Sequence, residues 1–449
     1  MKAKSSDNQI HTRSFSGLFR TLRVTGAGFL FLAFFGTVWL NWGGRQAVLW
    51  DLSESKFHIF GATFWPQDFI LLSALLIICA FGLFAITVFA GRVWCGYTCP
   101  QSSFTWLFMW CEKVTEGERN QRIKLQAAPW GPNKLARRAA KHTLWLAISV
   151  MTGLTFVGYF TPIRPLAQEL LTLQIGGVSL FWVLFFTGAT YINAGWLREA
   201  VCMHMCPYAR FQSVMFDKDT LTISYDVARG ENRGPRKREV KPADVGLGDC
   251  IDCQLCVQVC PTGIDIRDGL QMECIGCAAC IDACDSIMDK MNYPRGLIKY
   301  TSEHQLQGGK THLLRPRLIG YCAVLLIMIG ALALVERPMV SLDVSKDRGL
   351  FRENSEGQIE NIYSLKVINK TQQRQDYRVE LVDGDGFTLQ GKTEFSLAPG
   401  EITDFPVSVA MINDKPQSSS QSIGFKVTDT DQPEVYSVAK SRFVAPLNR

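Results

Sequence analysis

Most of the fifteen cysteines fall into two patterned groups whose spacing suits metal and sulfur chemistry. The denser group runs Cys250-x-x-Cys253-x-x-Cys256-x-x-x-Cys260-Pro261 and then Cys274-x-x-Cys277-x-x-Cys280-x-x-x-Cys284. Three thiolates at such short intervals can wrap three corners of a cubane cluster in one tight loop, and in two-cluster ferredoxins the fourth cysteine of each run ligates the other cluster. The spacing therefore predicts two [4Fe–4S] clusters, the first on Cys250, Cys253, Cys256 and Cys284, the second on Cys260, Cys274, Cys277 and Cys280. Paired four-cysteine zinc sites also use Cys-x-x-Cys spacing, but two matching runs fit the bacterial iron–sulfur pattern better. The second run ends in Cys284-Asp285 rather than Cys-Pro, which leaves the ligand count intact.

The second group consists of two copies of Cys-x-x-x-Cys-Pro at an offset of 107 residues, Cys95-Gly96-Tyr97-Thr98-Cys99-Pro100 and Cys202-Met203-His204-Met205-Cys206-Pro207, with Phe104 and Phe211 matching at the same offset. If each motif continues a helix, its two thiols share a face and are close enough for one soft ion or a disulfide. If Pro100 and Pro207 start new helices instead, Cys99 and Cys206 fall near N-caps, where the helix dipole lowers a thiol pKa. Either geometry gives reactive sulfur, and thiolate or thioether donors select Cu(I), zinc or iron–sulfur over hard ions. Met203, His204 and Met205 add soft or borderline donors; a structural turn with unligated thiols is the plain alternative. Cys79, Cys111 and Cys322 stand outside both patterns and read as small buried hydrophobes.

These groups must be held by membrane helices. The chain has 449 residues, 47% hydrophobic and 20% charged with a net charge of +6, yet charge is absent from five long apolar runs. About 20 apolar residues of helix cross a bilayer's hydrocarbon core, so the runs predict transmembrane helices at 24–44, 69–91, 143–163, 170–197 and 318–335. The tail before Val24 holds five Lys and Arg and the segment Arg92 to Lys141 holds nine, against two between the first two spans and one between the third and fourth. Basic residues are retained on the cytoplasmic side, which predicts a cytoplasmic N-terminus and cytoplasmic cysteine groups, with everything after Glu336 outside. Each Cys-x-x-x-Cys-Pro motif ends a pair of spans, so 24–197 reads as a duplicated helical hairpin.

Past the spans, period-two runs such as Tyr363/Leu365/Val367, Tyr377/Val379/Leu381, Phe405/Val407/Val409 and Ile423/Phe425/Val427 are punctuated at Asp383-Gly384-Asp385-Gly386, Pro399-Gly400 and Asn413-Asp414. They predict an antiparallel β-sandwich. Asn369-Lys370-Thr371 matches a sequon by pattern only. The basic stretch at Arg236-Lys237-Arg238 lies among acids, prolines and glycines and suits a loop facing anionic lipid or an acidic donor protein, not nucleic acid. Gly26-Ala27-Gly28 follows no strand and lacks the third glycine of a dinucleotide fingerprint, so electrons are expected from another protein or from quinol. No histidine lies inside a span, which disfavours a membrane-embedded haem.

The order of parts resembles the cytochrome c oxidase accessory protein family, CcoG/FixG, a family of membrane polyferredoxins. The segments carrying the resemblance include Trp94-Cys95-Gly96-Tyr97-Thr98-Cys99-Pro100-Gln101, Cys202 through Gln212, and Asp285-Ser286-Ile287-Met288-Asp289-Lys290-Met291. The resemblance implies a bacterial inner-membrane protein that assembles cbb3-type oxidase by reducing Cu(II) to Cu(I), with copper held by Cys95, Cys99, Cys202 and Cys206 and His204 as an auxiliary ligand. Implied partners are oxidase-assembly and copper-delivery proteins and a cytoplasmic or quinol electron donor; a homo-oligomer is compatible with the sequence. The expected organisation is a tail (1–23), four spans (24–197), a ferredoxin-like domain (198–317), a fifth span (318–335) and an immunoglobulin-like sandwich (336–449). A quinol-linked electron-transfer subunit and a non-catalytic copper-holding scaffold are the competing readings.

Overall fold

The computed structural model describes residues 10–446 except 241, 336–337, 350, 355–356, 372, 383–385 and 413–418. The chain divides into two compact units, Met1–Leu332 and Ala333–Arg449.

Among the described residues, four helices are long and apolar enough to cross a membrane: Leu18–Trp39, Phe69–Ala90, Gly177–Leu197 and Pro316–Ala333. They leave large apolar side chains such as Phe29, Leu32, Ile70, Leu76, Phe181, Leu326 and Ile327 exposed, the surface that lipid rather than water covers. The expected third crossing, 143–163, is a helix that falls short of that apolar measure. Its residues belong to a helix spanning Pro132–Gly158, whose first turns carry Lys134, Arg137, Arg138 and Lys141 and which stops before Tyr159. The apolar remainder is interrupted by Ser149, Thr152, Gly153 and Thr155, all buried. The hydroxyls of Ser149 and Thr152 donate to the carbonyls of Trp145 and Ile148, each at 2.8 Å, and a Cβ on Gly153 would stand 2.6 Å from the Val183 carbonyl of the neighbouring Gly177–Thr190 helix. The polarity that lowers this helix's apolar character thus serves close helix packing.

The first helix also begins earlier than charge predicts, at Leu18, taking in Arg20 and Arg23. Asp282 of the Ala279–Met291 helix explains the shift: its carboxylate accepts from the backbone N–H groups of Phe19 at 3.2 Å and Arg20 at 2.7 Å, which satisfies otherwise orphaned donors at a helix start. At the other end Gly43 and Gly44, both at positive φ, turn a small hairpin that pairs Trp42 with Arg45, so the span stops before residue 44. Cys79 and Cys322 are exposed on their helices rather than packed, whereas Cys111 is buried beside Phe108 and Trp145.

The second unit is the antiparallel sandwich. One sheet orders Phe387–Gly391, Ile402–Met411, Ile359–Asn369 and Val340–Lys346, and the other Glu394–Leu397, Gln375–Val382, Ser420–Asp429 and Tyr436–Val444. Alternate residues point inward, so Tyr363, Leu365, Val367, Tyr377, Val379, Val409, Phe425 and Val427 form the core, with Leu381 and Phe405 half-buried at its edge. The expected turns at 383–386 and 413–414 lie largely outside the described residues. Asn369, the sequon asparagine, is fully buried and its amide donates to the carbonyls of Gln373, Leu397 and Ala398 at 2.8, 3.1 and 3.1 Å. Asn369→Ala should remove these bonds together with the one its Oδ1 accepts from the Thr371 N–H at 2.9 Å, and cost about 1–3 kcal/mol, the penalty of leaving a buried polar group unsatisfied; a lowered thermal midpoint of this unit checks it.

Candidate functional site

The two cysteine runs fold as near-copies. Asp252 and Gln254 in the first loop, and Gly276 and Ala278 in the second, all adopt positive φ between 51° and 67°, turning successive cysteines toward one centre. One cavity is walled by Cys250, Cys253, Cys256 and Cys284 together with Leu255, Ile287, Met288 and Ile298. A second is walled by Cys260, Cys274, Cys277 and Cys280, with Cys256 at its border and Ile264, Ile266, Pro261 and Ala279 around them. Each run therefore sends its fourth cysteine into the other run's cavity. Burial pushes the thiols of Cys256, Cys274 and Cys284 up to about 12, and that of Cys280 well above its ordinary value. Sulfur so desolvated becomes thiolate only where metal supplies the compensating charge. Converging thiols and apolar walls fit iron–sulfur clusters, and the buried Arg267 at the first cavity offsets part of the negative charge that four thiolates bring.

The two Cys-x-x-x-Cys-Pro motifs show the second of the geometries their sequence allows. Pro100 and Pro207 open helices Pro100–Glu116 and Pro207–Met215, with Cys99 and Cys206 as their N-caps. The duplication extends into the backbone. Gly91 has φ 58° and ψ −125° where Arg198 has φ 44° and ψ −114°, and the N–H of Cys99 reaches back to the Trp94 carbonyl just as that of Cys206 reaches the Val201 carbonyl, both at 2.9 Å. The second copy begins inside one π-helical stretch, Val201–Met205, and follows another, Tyr191–Leu197, a rare geometry frequent at functional sites.

Each motif braces the other. Cys95 Sγ–H donates to Gln212 at 3.4 Å, and the Gln101 amide donates to the Asn193 and Arg198 carbonyls at 3.0 and 3.3 Å. The four thiols lie close enough to feel one another's charge: burial first, then neighbouring cysteines, pushes Cys95 up to about 11 and Cys202 to about 12. In these two the direction is opposite to the activation that the N-cap argument foresees for their partners. His204 and Met205 are exposed, whereas Met203 turns inward and lines a small cavity with Cys202, Arg92, Met272 and Ile275.

Of three positions invisible as site residues in the sequence, Gly96 and Arg92 join the two groups and Arg198 braces the second motif. Gly96, next to Cys95, sits so near the second ferredoxin loop that a Cβ there would lie 2.8 Å from Cys277 Cα and from the Gly276 carbonyl. Arg92 is buried; its guanidinium donates to the Ala209 carbonyl at 2.6 Å and to the carbonyl of Met272. Arg198, strained at positive φ, donates to Glu112 at 2.6 Å and to the Gly195 carbonyl at 2.8 Å, and Glu112 also meets Arg122 at 3.0 Å. Only the abrupt Gly91-Arg92 end of an apolar run hinted at the first two contacts.

Residues 197–303 match a family model described as a 4Fe-4S dicluster domain, residues 72–115 a 4Fe-4S binding domain, and residues 330–446 the IG-like fold at the C-terminal of FixG. Among curated proteins the chain is 40% identical to protein RdxA of Cereibacter sphaeroides over 84% of this chain and 82% of that one. It is 37% identical to the nitrogen fixation protein FixG of Rhizobium meliloti over 74% and 71% respectively. A crystal structure of a FixG-related protein from Vibrio parahaemolyticus is 33% identical and is matched over its whole length, which covers 25% of this chain at a TM-score of 0.23. With apolar helices of membrane-crossing length, a dicluster ferredoxin domain and an immunoglobulin-like tail, the chain belongs to the FixG/RdxA family of membrane-bound iron–sulfur electron-transfer proteins.

Proposed function

We propose that the chain is a cupric reductase, converting Cu(II) to Cu(I) at Cys95, Cys99, Cys202 and Cys206 in the service of cbb3-type oxidase assembly. The observation that carries this reading is the contact of Gly96 with Cys277, which sets a soft four-sulfur group directly against a cluster-ligand loop. When bound by the eight ferredoxin cysteines, the clusters supply electrons one at a time, matching the single electron that Cu(II) takes up. The chain's own residues do the rest. Sulfur favours the cuprous product over the cupric substrate, Gln212 orients Cys95, and exposed Cys253 leaves the first cluster cavity open to a donor protein. Met203, beside Cys202, suits Cu(I) as an added thioether; His204 faces outward and is a weaker candidate. The basic residues of Arg92 to Lys141 support a cytoplasmic site in a bacterial inner membrane, with the sandwich outside as a platform for assembly and copper-delivery partners.

A second reading has its own support. The match of residues 72–115 to a 4Fe-4S binding domain includes Cys95 and Cys99, which favours an electron relay linked to quinol in which these cysteines serve iron rather than copper. The double replacement of Cys202 and Cys206 by serine separates the two. The copper reading expects copper reduction to be abolished with the iron content and both ferredoxin cluster signals unchanged, read by metal analysis and electron paramagnetic resonance. Loss of iron in that variant contradicts it and supports the relay.

A further inference from the structure

Asp219, His304 and His312 come together from three separate segments, and one ligand-type atom from each lies within 4.8 Å of the other two. Asp219 sits in the turn after the Pro207–Met215 helix, fixed by its own N–H to the Asp217 carboxylate at 2.9 Å. His304 belongs to the short Glu303–Leu306 helix, capped by Ser302 and docked by its N–H to the Lys218 carbonyl at 3.2 Å. The backbone N–H of His312 donates to Asp219 Oδ1 at 2.9 Å. Both imidazoles then converge on that same oxygen, His304 Nδ1 at 2.8 Å and His312 Nδ1 at 3.4 Å, with the rings edge to face at 5.6 Å. Two imidazoles on one carboxylate oxygen that already accepts an amide compete for a single ion pair. The same three groups supply three ligands of a four-coordinate metal, with the fourth position open on the exposed His312 side.

We propose that Asp219, His304 and His312 form a binding site for one divalent transition-metal ion of the Zn2+ or Cu2+ class. Imidazole and carboxylate are borderline and hard donors, which suit Zn2+ and Cu2+ and not the cuprous ion favoured by sulfur. The chain therefore holds two chemically distinct donor sets. The site has a structural consequence as well. Arg315, just before the Pro316–Ala333 helix, pairs with Asp217 and reaches the Val88 carbonyl, while Thr220 donates to the same carbonyl at 2.9 Å. A bound ion would tie the segment that leads into the last span to the turn that rests on the second.

The test is equilibrium dialysis of the full-length protein, clusters oxidised, against radioactive Zn2+, with Cys95, Cys99, Cys202 and Cys206 replaced by serine so that their thiols do not compete. The expected result is one ion per chain, lost in the added H304A/H312A variant and bound at least tenfold more weakly in D219N, which keeps an oxygen for the His312 amide, with cluster absorbance unchanged in both. In the same background Cu2+ should show nitrogen hyperfine splitting from two imidazoles, absent from H304A/H312A. The proposal is overturned if the parent binds no ion, or if the histidine variant binds as much as the parent. Should the serine background fold poorly, wild-type protein takes its place, and H304A/H312A is then expected to remove one equivalent of Zn2+; no change in stoichiometry overturns the proposal equally. Because only binding is read, failure here leaves the copper-reduction reading untouched, and failure of that reading leaves this site standing.

Discussion

Replacing Glu112 by alanine is expected to destabilise the membrane-proximal unit by roughly 3–5 kcal/mol, the usual cost of removing one partner from a buried ion pair. Glu112 is 1% exposed and its two oxygens meet Arg198 at 2.6 Å and Arg122 at 3.0 Å, both guanidiniums being buried as well. Without the carboxylate two positive charges stay inside with backbone carbonyls as their only described acceptors: Thr12 for Arg122 and Gly195 for Arg198. Arg198 also occupies a positive φ that a non-glycine residue holds only when its surroundings fix it, so the loss should travel to the Val201–Met205 turn and the Cys202 thiol. Burial pushes the Glu112 carboxyl up, but Arg198 and then Arg122 bring it below the ordinary 4.5. Its contribution is therefore present above that ordinary value and is lost as pH falls through the lower, folded one. Thermal unfolding in nanodiscs should show a drop in midpoint for Glu112→Ala near neutral pH, and the gap to wild type should close in acid. An unchanged midpoint at neutral pH would mean that the network does not stabilise the fold.

Gly96→Val is expected to lower copper reduction by on the order of 10²-fold, the scale at which a displacement of about 1 Å acts on a positioned reaction, while all eight ferredoxin cysteines keep their clusters. No valine fits where even a Cβ would stand 2.8 Å from backbone atoms of Gly276 and Cys277. The obstacle is backbone on both sides, so relief must come from parting the first Cys-x-x-x-Cys-Pro motif from the second ferredoxin loop. Overpacking of this kind costs about 1–3 kcal/mol, too little to unfold the unit. The measurement is the rate of copper reduction beside the cluster signal per chain. Wild-type rates in Gly96→Val would mean that this contact carries no function.

Much of this arrangement can be read from the sequence because it depends on local spacing. Cysteine intervals alone pair Cys284 with Cys250, Cys253 and Cys256, and the fold gathers the same four around one cavity. Alternation from Tyr363 to Val367 and from Ile423 to Val427 marks strands whose inward residues are buried. What spacing misses is produced by tertiary partners. The helix start at Leu18 depends on Asp282, far along the chain. The short apolar part of Pro132–Gly158 follows from polar residues buried against a neighbouring helix. Gly96 and Arg92 look ordinary until the ferredoxin loop is laid against them, and the Asp219, His304 and His312 group has no sequence signature because its members come from separate segments.

Cupric reduction is tested most directly by a single turnover. Protein purified without oxygen, with its clusters reduced and excess reductant removed, is mixed with Cu(II), and Cu(I) is followed with a specific chelator alongside cluster reoxidation. Cu(I) is expected to form in step with cluster oxidation, one for one, and to be lost when Cys202 and Cys206 are both serine. Clusters that stay reduced in the presence of Cu(II), or a serine variant that turns over as wild type does, would contradict a reductase built on these cysteines.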